Sequence, residues 1–367
     1  MAPQTRNDQD ERRDDRQDGG AQAPAATALL ATAGIPAERI AALVPLAGGT
    51  YNTLHRVELT DGTSLVLKVP PSERAPKLAY EHELLRGEAQ FYASAAAAGG
   101  VPAPRVVHAR VEPDGGGDPA ATPYLLMTHS PGVPWFGEQK AISGPEQDRL
   151  RYALGGLLAR LHAVTGPGFG YPAQTLAPLD GRWRPAFTAM TDAVLDDAER
   201  YGAWLPAPAA VIRAALAAAA PVLDEVTVPA LVHFDLWPGN ILVDGPVGGR
   251  AITGLIDGER MFWGDPLADF ASLSLLHTDV EEDTAFLEGY GLGGGLTRFD
   301  EGARRRIALY RCYLYLIMLV EVEPRSTSGE YLTWVREFTA PRLEAALGAA
   351  LGIAAGGSGD GSPVTDR

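Results

Sequence analysis

A short apolar segment flanked by polar side chains constrains this chain more than any other part of its sequence. Residues 231–240 include His233, Asp235 and Asn240, and the next apolar run ends at Asp257. A strand pair would bring an acid, a carboxamide and a second acid to one edge of a hairpin. Such oxygen donors suit a magnesium ion, and the remaining acid could orient a hydroxyl and accept its proton. Ordinary turn residues at strand ends are the alternative interpretation.

The first third of the chain predicts a small β-sheet with one helix packed on it. Asp61-Gly62, between two apolar runs, is a strong hairpin signal. The predicted strands cover 54–59, 64–69, 105–111 and 123–128, and the predicted helix covers 78–97. We assign residues 26–128 to this region.

Residues 129–352 are predicted to be mainly helical, which gives an α+β fold overall. Ser143 and Glu146 have the spacing of a capping box before a stripe of leucines. Residues 304–320 are apolar on nearly all sides and predict a buried helix. The polar ends of the chain, 1–25 and 353–367, are predicted to be disordered tails.

Charge and cysteine content exclude several classes of function. Lys and Arg total 31 against 46 Asp and Glu, for a net charge of −15, so a general nucleic-acid binder is not expected. A single cysteine, Cys312, excludes a disulfide framework and a thiolate metal cluster. No apolar signal region begins the chain, and no apolar run reaches the ~20 residues that span a bilayer. We expect a cytoplasmic protein with neither a nucleic-acid nor a membrane partner.

Lys68 stands out because lysine is rare in this chain and this one lies within a predicted apolar strand. One interpretation is a charge that protects an edge strand, and the other is a lysine that contacts phosphate. Glu88 lies on the apolar stripe of the predicted helix, and a buried acid needs a partner. Glu88 is therefore the expected partner of Lys68, with Glu81 as the alternative.

The pattern His-x-Asp-x-x-x-x-Asn, followed by Asp at a strand end, resembles the catalytic and metal-binding segments of protein-kinase-like enzymes. Here it reads Val-His-Phe-Asp-Leu-Trp-Pro-Gly-Asn-Ile-Leu-Val, then Ile-Asp-Gly-Glu-Arg and Trp-Gly-Asp-Pro-Leu-Ala-Asp. This wording is similar to the aminoglycoside phosphotransferase family, which includes kinases of small metabolites. The resemblance covers about residues 44–275. It implies a two-lobed protein-kinase-like fold, with a β-rich N-lobe and a helical C-lobe, and transfer of a phosphoryl group from ATP to a small-molecule hydroxyl.

The resemblance implies a role for each of the residues singled out above. Asp235 would be the catalytic acid that positions and deprotonates the acceptor hydroxyl. Asn240 and Asp257 would hold Mg²⁺ against the ATP phosphates. Lys68, held by Glu88, would contact those phosphates.

The resemblance also implies where the nucleotide binds, with ATP expected and GTP as the alternative. Ahead of the hairpin, a glycine turn could by itself cover the phosphates with backbone N–H donors, and a simple reversal of the chain is the alternative interpretation. At the hinge between the lobes, a methionine would lie behind the adenine, which would bond to the backbone of the residues that follow. These nucleotide-binding residues are Gly48, Gly49, Thr50, Met127, Thr128 and Ser130.

Five residues near the motifs are expected to shape the site rather than to touch substrate. His233, Asp265 and Asp269 are expected to brace the catalytic loop and the helix after it. Phe234 stands where the family often has Gly, and Gly258 stands where it often has Trp.

The sequence does not name the acceptor. Acids late in the chain favour a cationic, aminoglycoside-like acceptor, and a solvated acidic face is the alternative. Two other functions stay open. One is a metabolic kinase acting on a sugar, a ketosamine or an amino alcohol, since ketosamine kinases share the Asp-Leu-Trp-x-Gly-Asn wording. The other is an inactive nucleotide-binding scaffold, which the intact motif residues disfavour. The acids are Glu281, Glu282, Asp283, Glu288, Glu321 and Glu323.

Overall fold

A five-stranded antiparallel sheet forms the N-terminal part of the protein, in the spatial order β1-β2-β3-β5-β4. The computed structural model describes residues 24–46, 51–72, 74–112, 122–277 and 279–353. The strands are β1 (Ile40–Pro45), β2 (Thr53–Leu59), β3 (Ser64–Val69), β4 (Val106–Arg110) and β5 (Tyr124–Thr128). The four predicted strands are confirmed, and β1 is an addition.

Lys68 lies on a central strand of this sheet. In β3 it pairs with Leu54 of β2 on one side and with Leu125 of β5 on the other. The β2–β3 hairpin turns at Asp61, whose carboxylate accepts the backbone N–H of Thr63 at 2.9 Å. A strand with neighbours on both sides is not an edge strand, so the edge-protecting interpretation of Lys68 is wrong.

Helices cover both faces of the sheet. The first helix, α1 (24–32), buries Leu30 in an apolar cluster with Val57 and Leu126. The second, α2 (Leu84–Ala98), packs with Leu125 and Met127 in the larger core. Alternate residues of β5 thus face opposite helices. Residues 24 and 25, predicted as tail, belong to α1, and the rest of the predicted tails, 1–23 and 354–367, lies outside the described residues.

The predicted start of α2 is wrong by six residues. A 3-10 turn (Ala79–Glu81) precedes the helix, and Glu83 interrupts the backbone with φ of 59°. This segment is held by the C-terminal part instead, because the N–H of Ala79 donates to Asp197 Oδ2 at 2.6 Å. Contacts between distant parts of the chain therefore override the local helical pattern.

The C-terminal part combines helices with two small sheets of order β6-β8-β9 and β10-β7. Its elements are β6 (Val133–Pro134), α3 (Trp135–Glu138), α4 (Gly144–His162), α5 (Trp183–Tyr201), α6 (Ala209–Ala219), β7 (Ala230–Val232), β8 (Ile241–Asp244), β9 (Ala251–Leu255), β10 (Phe262–Gly264), α7 (Asp269–Leu273), α8 (Thr284–Leu292), α9 (Glu301–Val320) and α10 (Gly329–Ala350). The predicted hairpin between the catalytic loop and Asp257 is β8–β9.

Helix α9 is the buried helix that the sequence predicts, and Cys312 within it is fully buried. Nowhere in the described ranges is a helix both long and apolar enough to cross a membrane. The larger apolar core extends from α2 to α10 and thus crosses the predicted boundary after residue 128, which falls at the end of β5.

The predicted capping box of α4 does not form. The side chain of Ser143 makes no capping hydrogen bond. Glu146 is 1% exposed and instead accepts the N–H groups of Gly248 and Arg250, at 3.1 and 3.0 Å. Its carboxylate thus links α4 to the β8–β9 turn, because that turn places two backbone N–H donors and the Arg250 guanidinium beside it.

Candidate active site

Lys68 gathers three carboxylates around one ammonium group. Its Nζ lies 2.7 Å from Glu88 Oε2, 2.6 Å from Asp257 Oδ1 and 2.7 Å from Glu259 Oε2. The lysine is 3% exposed and Glu88 is 1% exposed. Glu81 is not part of this cluster, since it pairs with Arg325 at 2.6 Å. Strand β3, helix α2 and the loop after β9 thus meet at one point.

The electrostatics of this cluster keep Lys68 charged. Burial alone would lower the pKa of Lys68, but Asp257, Glu259 and Glu88 outweigh it and hold that pKa well above its ordinary value. Burial raises the pKa of Glu88 to about 7 against the opposing charge of Lys68. The hydroxyl of Tyr92 donates to Glu88 Oε1 at 2.9 Å and fixes this carboxylate.

The three carboxylates are close enough to suggest a metal site, but the ammonium of Lys68 already fills the space between them. Asn240 and Asp257 fit a magnesium ion better. Asn240 Nδ2 donates to the carbonyl of Asp235 at 2.8 Å, and no donor from the described residues bonds its Oδ1. The Asp257 side chain is 39% exposed. An amide oxygen and a carboxylate are the hard donors that Mg²⁺ prefers.

The catalytic loop is tied to the Asp257 segment through His233. Its Nε2 lies 3.0 Å from the carbonyl of Ile256, so Nε2 carries the proton and Nδ1 accepts the N–H of Asp235 at 3.2 Å. Burial lowers the pKa of His233, which keeps the ring neutral. The neutral imidazole therefore links the backbone of Asp235 to that of Ile256.

Asp269 holds the backbone of the same loop. Its carboxylate is fully buried and accepts the N–H of Phe234 at 2.6 Å and that of His233 at 3.2 Å. His162 Nε2 lies 3.0 Å from Asp269 Oδ2, so this histidine helps to hold the carboxylate that binds the loop. Asp265 instead accepts Tyr310 Oη at 2.7 Å and caps the turn after β10.

The backbone conformation at Phe234 is one that favours glycine, the residue that the family often has at this position. Its φ is 63°, in the left-handed region where a side chain costs about 1–2 kcal/mol. The ring is fully buried and lies 5.1 Å from that of Phe262 and 5.4 Å from that of Tyr313. Aromatic packing thus offsets the backbone strain.

Replacing Phe234 by glycine should destabilise the protein by about 1–4 kcal/mol. Losing a buried aromatic ring costs about 3–5 kcal/mol, which exceeds the strain that is relieved. Urea unfolding measures the change. An unchanged or increased free energy of unfolding would contradict this balance.

The ring of Phe91 lies beside Gly258, the position where the family often has Trp. A Cβ on Gly258 would lie 2.3 Å from Phe91 Cδ1, so no larger residue fits there. Phe91 comes from α2 and packs edge-on against His233, with the ring centroids 4.8 Å apart. An aromatic ring from the N-terminal part thus occupies the space that a side chain at position 258 would need.

The hinge offers one backbone acceptor and one donor. The N–H of Thr128 donates to the carbonyl of Arg105 at 2.9 Å, so only the carbonyl of its two backbone groups could serve an adenine. The N–H of Ser130 has no acceptor among the described residues. Met127, 6% exposed, precedes them within β5. Gly132 follows with φ of 104°, and a Cβ there would lie 2.6 Å from the carbonyl of Val243.

Asp235 is, like Glu88, an acid near the cleft whose pKa is raised. Burial raises its pKa to about 6, although the charge of Arg260 opposes this shift. Arg260 pairs with Glu321 at 2.9 Å. Neither Arg260 nor Glu259 was predicted as a site residue, although Glu259 is a second acid two positions after Asp257. The predicted phosphate-covering residues Gly48, Gly49 and Thr50 lie outside the described residues.

The chain is similar to one known protein family and to several solved structures. Residues 42–310 match the Phosphotransferase enzyme family, abbreviated APH. A candidate fructosamine-3-kinase of Thermobifida fusca has a similar structure, with a TM-score of 0.56 and 24% identity over 84% of this chain and 94% of that one. A mutant aminoglycoside phosphotransferase in a ternary complex with AMP-PNP and hygromycin B gives 0.54 and 19%, over 85% and 95%. A macrolide 2′-phosphotransferase type I gives 0.54 and 18%, over 87% and 97%. No curated protein sequence matches. The predicted two-lobed kinase-like fold is confirmed.

Proposed function

The chain belongs to the phosphotransferase enzyme family, and from that membership we propose that it transfers the γ-phosphoryl group of ATP to a hydroxyl of a small molecule. The observation that carries the proposal is the convergence of Lys68, Glu88 and Asp257 at one buried point, beside Asn240 and the loop of Asp235. This set combines a phosphate contact, hard metal ligands and a base.

Each residue of the set has a separate task. Asp235 accepts a hydrogen bond from the acceptor hydroxyl and takes its proton as phosphate transfer proceeds. Lys68 neutralises phosphate charge, and Glu88 keeps its ammonium in place. Asp257 and Asn240 would hold Mg²⁺, which supplies positive charge against the phosphates when bound.

The proposed nucleotide contacts lie at the hinge. The carbonyl of Thr128 and the N–H of Ser130 match the donor and acceptor on one edge of adenine. Met127 lies behind that edge. ATP is the proposed phosphate donor because its adenine matches this pattern. GTP is the alternative, although its guanine would require the hinge to present the opposite pattern of donors and acceptors.

The acids late in the chain led us to expect a cationic acceptor. Their contacts in the folded protein do not support that expectation. Most of them are paired with arginines of the protein itself, so their charge is already neutralised; Glu282 and Glu288 are exposed. The pairs are Glu281–Arg304, Asp283–Arg151, Glu321–Arg260 and Glu323–Arg336. We therefore propose a hydroxyl acceptor without assigning it a charge, and sugar-like and ketosamine acceptors belong in the first panel.

Mg-ATP should raise the melting temperature of the protein, because a ligand that binds only the folded state stabilises it by mass action. Asp257→Ala should abolish the magnesium-dependent part of this shift and leave the part that ATP gives without metal. Asp244→Ala, at the end of the same hairpin and exposed, is the matched control and should keep the full shift. A magnesium-dependent shift in Asp257→Ala equal to that of wild type would remove Asp257 from the metal site.

A further inference from the structure

One carboxylate oxygen of Glu259 receives two hydrogen-bond donors from the N-terminal sheet. Its Oε2 lies 2.7 Å from Lys68 Nζ and 2.9 Å from Asn52 Nδ2. Lys68 comes from β3, and Asn52 directly precedes β2, so the two donors come from neighbouring strands. Glu259 is 11% exposed and sits at the point where an ammonium and an amide converge. Two donors aimed at one anionic oxygen are what a phosphate oxygen requires.

From this geometry we propose that Asn52 and Lys68 form a two-donor site for a nucleotide phosphate oxygen, and that Glu259 competes with the phosphate for it. The inference rests on the proposed function and adds Asn52 as a phosphate-binding residue. In the sequence, Asn52 lies two positions after residues 48–50, which are predicted to cover the phosphates.

The hydrogen-bonding capacity of Lys68 requires this competition. An ammonium has three N–H donors, and three carboxylates lie within 2.7 Å of Lys68 Nζ. A phosphate can reach the lysine only if one carboxylate leaves. Glu88 is buried and held by Tyr92, and Asp257 is the proposed metal ligand. Glu259 is therefore the carboxylate that a phosphate displaces.

Removing the charge of Glu259 should make metal-free ATP bind more tightly. Calorimetry of ATP and of adenosine, with the metal chelated, compares wild type with Glu259→Gln. We expect ATP to bind roughly 3- to 100-fold more tightly, the range that Coulomb's law gives for one unit charge about 6 Å away at effective dielectric constants of about 80 to 20. Adenosine, which has no phosphate, should bind equally well to both proteins.

Glu58→Gln is the matched control. It makes the same change in charge on β2, where Glu58 pairs with Arg56 and not with Lys68. Its affinity for metal-free ATP should equal that of wild type. If Glu259→Gln binds metal-free ATP no more tightly than Glu58→Gln does, Glu259 does not compete with phosphate and the inference fails.

Asn52→Ala tests the second donor. ATP affinity should fall about tenfold, the scale of a hydrogen bond to a charged group, and adenosine affinity should stay unchanged. Equal losses for ATP and adenosine would mean that Asn52 only supports the fold, and no loss for ATP would remove it from the site. A wild-type protein that binds neither ligand, with or without magnesium, would contradict the proposed function and the inference together.

Discussion

Replacing Asp235 by asparagine should lower turnover by about 10²–10⁴-fold, the usual scale for losing a general base. The amide keeps the shape of the side chain and its ability to hydrogen-bond, but it cannot accept the proton of the acceptor hydroxyl. ATP affinity should hardly change, because the proposed nucleotide contacts are Lys68 and the hinge. Steady-state kinetics and calorimetry measure the two quantities separately. Parallel losses in turnover and ATP affinity would mean that Asp235 has a structural role.

The same variant should be more stable than wild type above pH 6. Burial raises the pKa of Asp235 from 3.8 to about 6, so the ionised carboxylate is less favourable in the folded state than in the unfolded one. This cost is absent at low pH, where the acid is protonated in both states, and it is complete once the pH exceeds about 6. Melting temperatures across this range should diverge as pH rises. Identical curves would contradict the raised pKa.

Lys68→Met should destabilise the protein by about 3–5 kcal/mol, the range for breaking a buried ion pair. Without the ammonium, Glu88, Asp257 and Glu259 face one another with no cation among them. Turnover should fall as well, because the phosphates lose their positive contact. Urea unfolding gives the free energy directly.

Two further variants test whether the loss of stability comes from removing the buried charge of Lys68. Lys140→Met makes the same change in charge at an exposed position and should alter the free energy of unfolding by less than about 0.5 kcal/mol. Combining Lys68→Met with Glu88→Leu should recover part of the lost stability, because one of the unpaired carboxylates is gone. A double variant no more stable than Lys68→Met would show that the loss arises from packing rather than from charge.

Sequence patterns correctly predicted the elements that are determined by interactions between residues close together in the chain. The hairpin at Asp61-Gly62 forms because its turn residues and the alternation on either side of them agree. The buried helix α9 forms because its apolar residues surround it on all sides. The pairing of Lys68 with Glu88 could be anticipated because a buried acid and a buried lysine compensate each other.

Contacts between distant segments could not be read from those patterns. Helix α2 begins late because residues before it bind α5, and Glu146 leaves its own helix end for a turn more than 100 positions away. Glu259 and Asn52 meet only after the sheet and the loop after β9 are folded against each other. Each of these depends on which donor a folded chain brings nearest to a buried carboxylate.

The most direct test of the account is mass spectrometry of hydroxyl-bearing acceptors incubated with the protein and Mg-ATP. The panel includes sugars, ketosamines, amino alcohols, macrolides and aminoglycosides, and Asp235→Asn is assayed beside wild type. The account predicts that wild type adds one HPO₃ unit to an acceptor and releases an equal amount of ADP, while Asp235→Asn forms almost no product. ADP released with no phosphorylated acceptor, or equal product from both proteins, would contradict it.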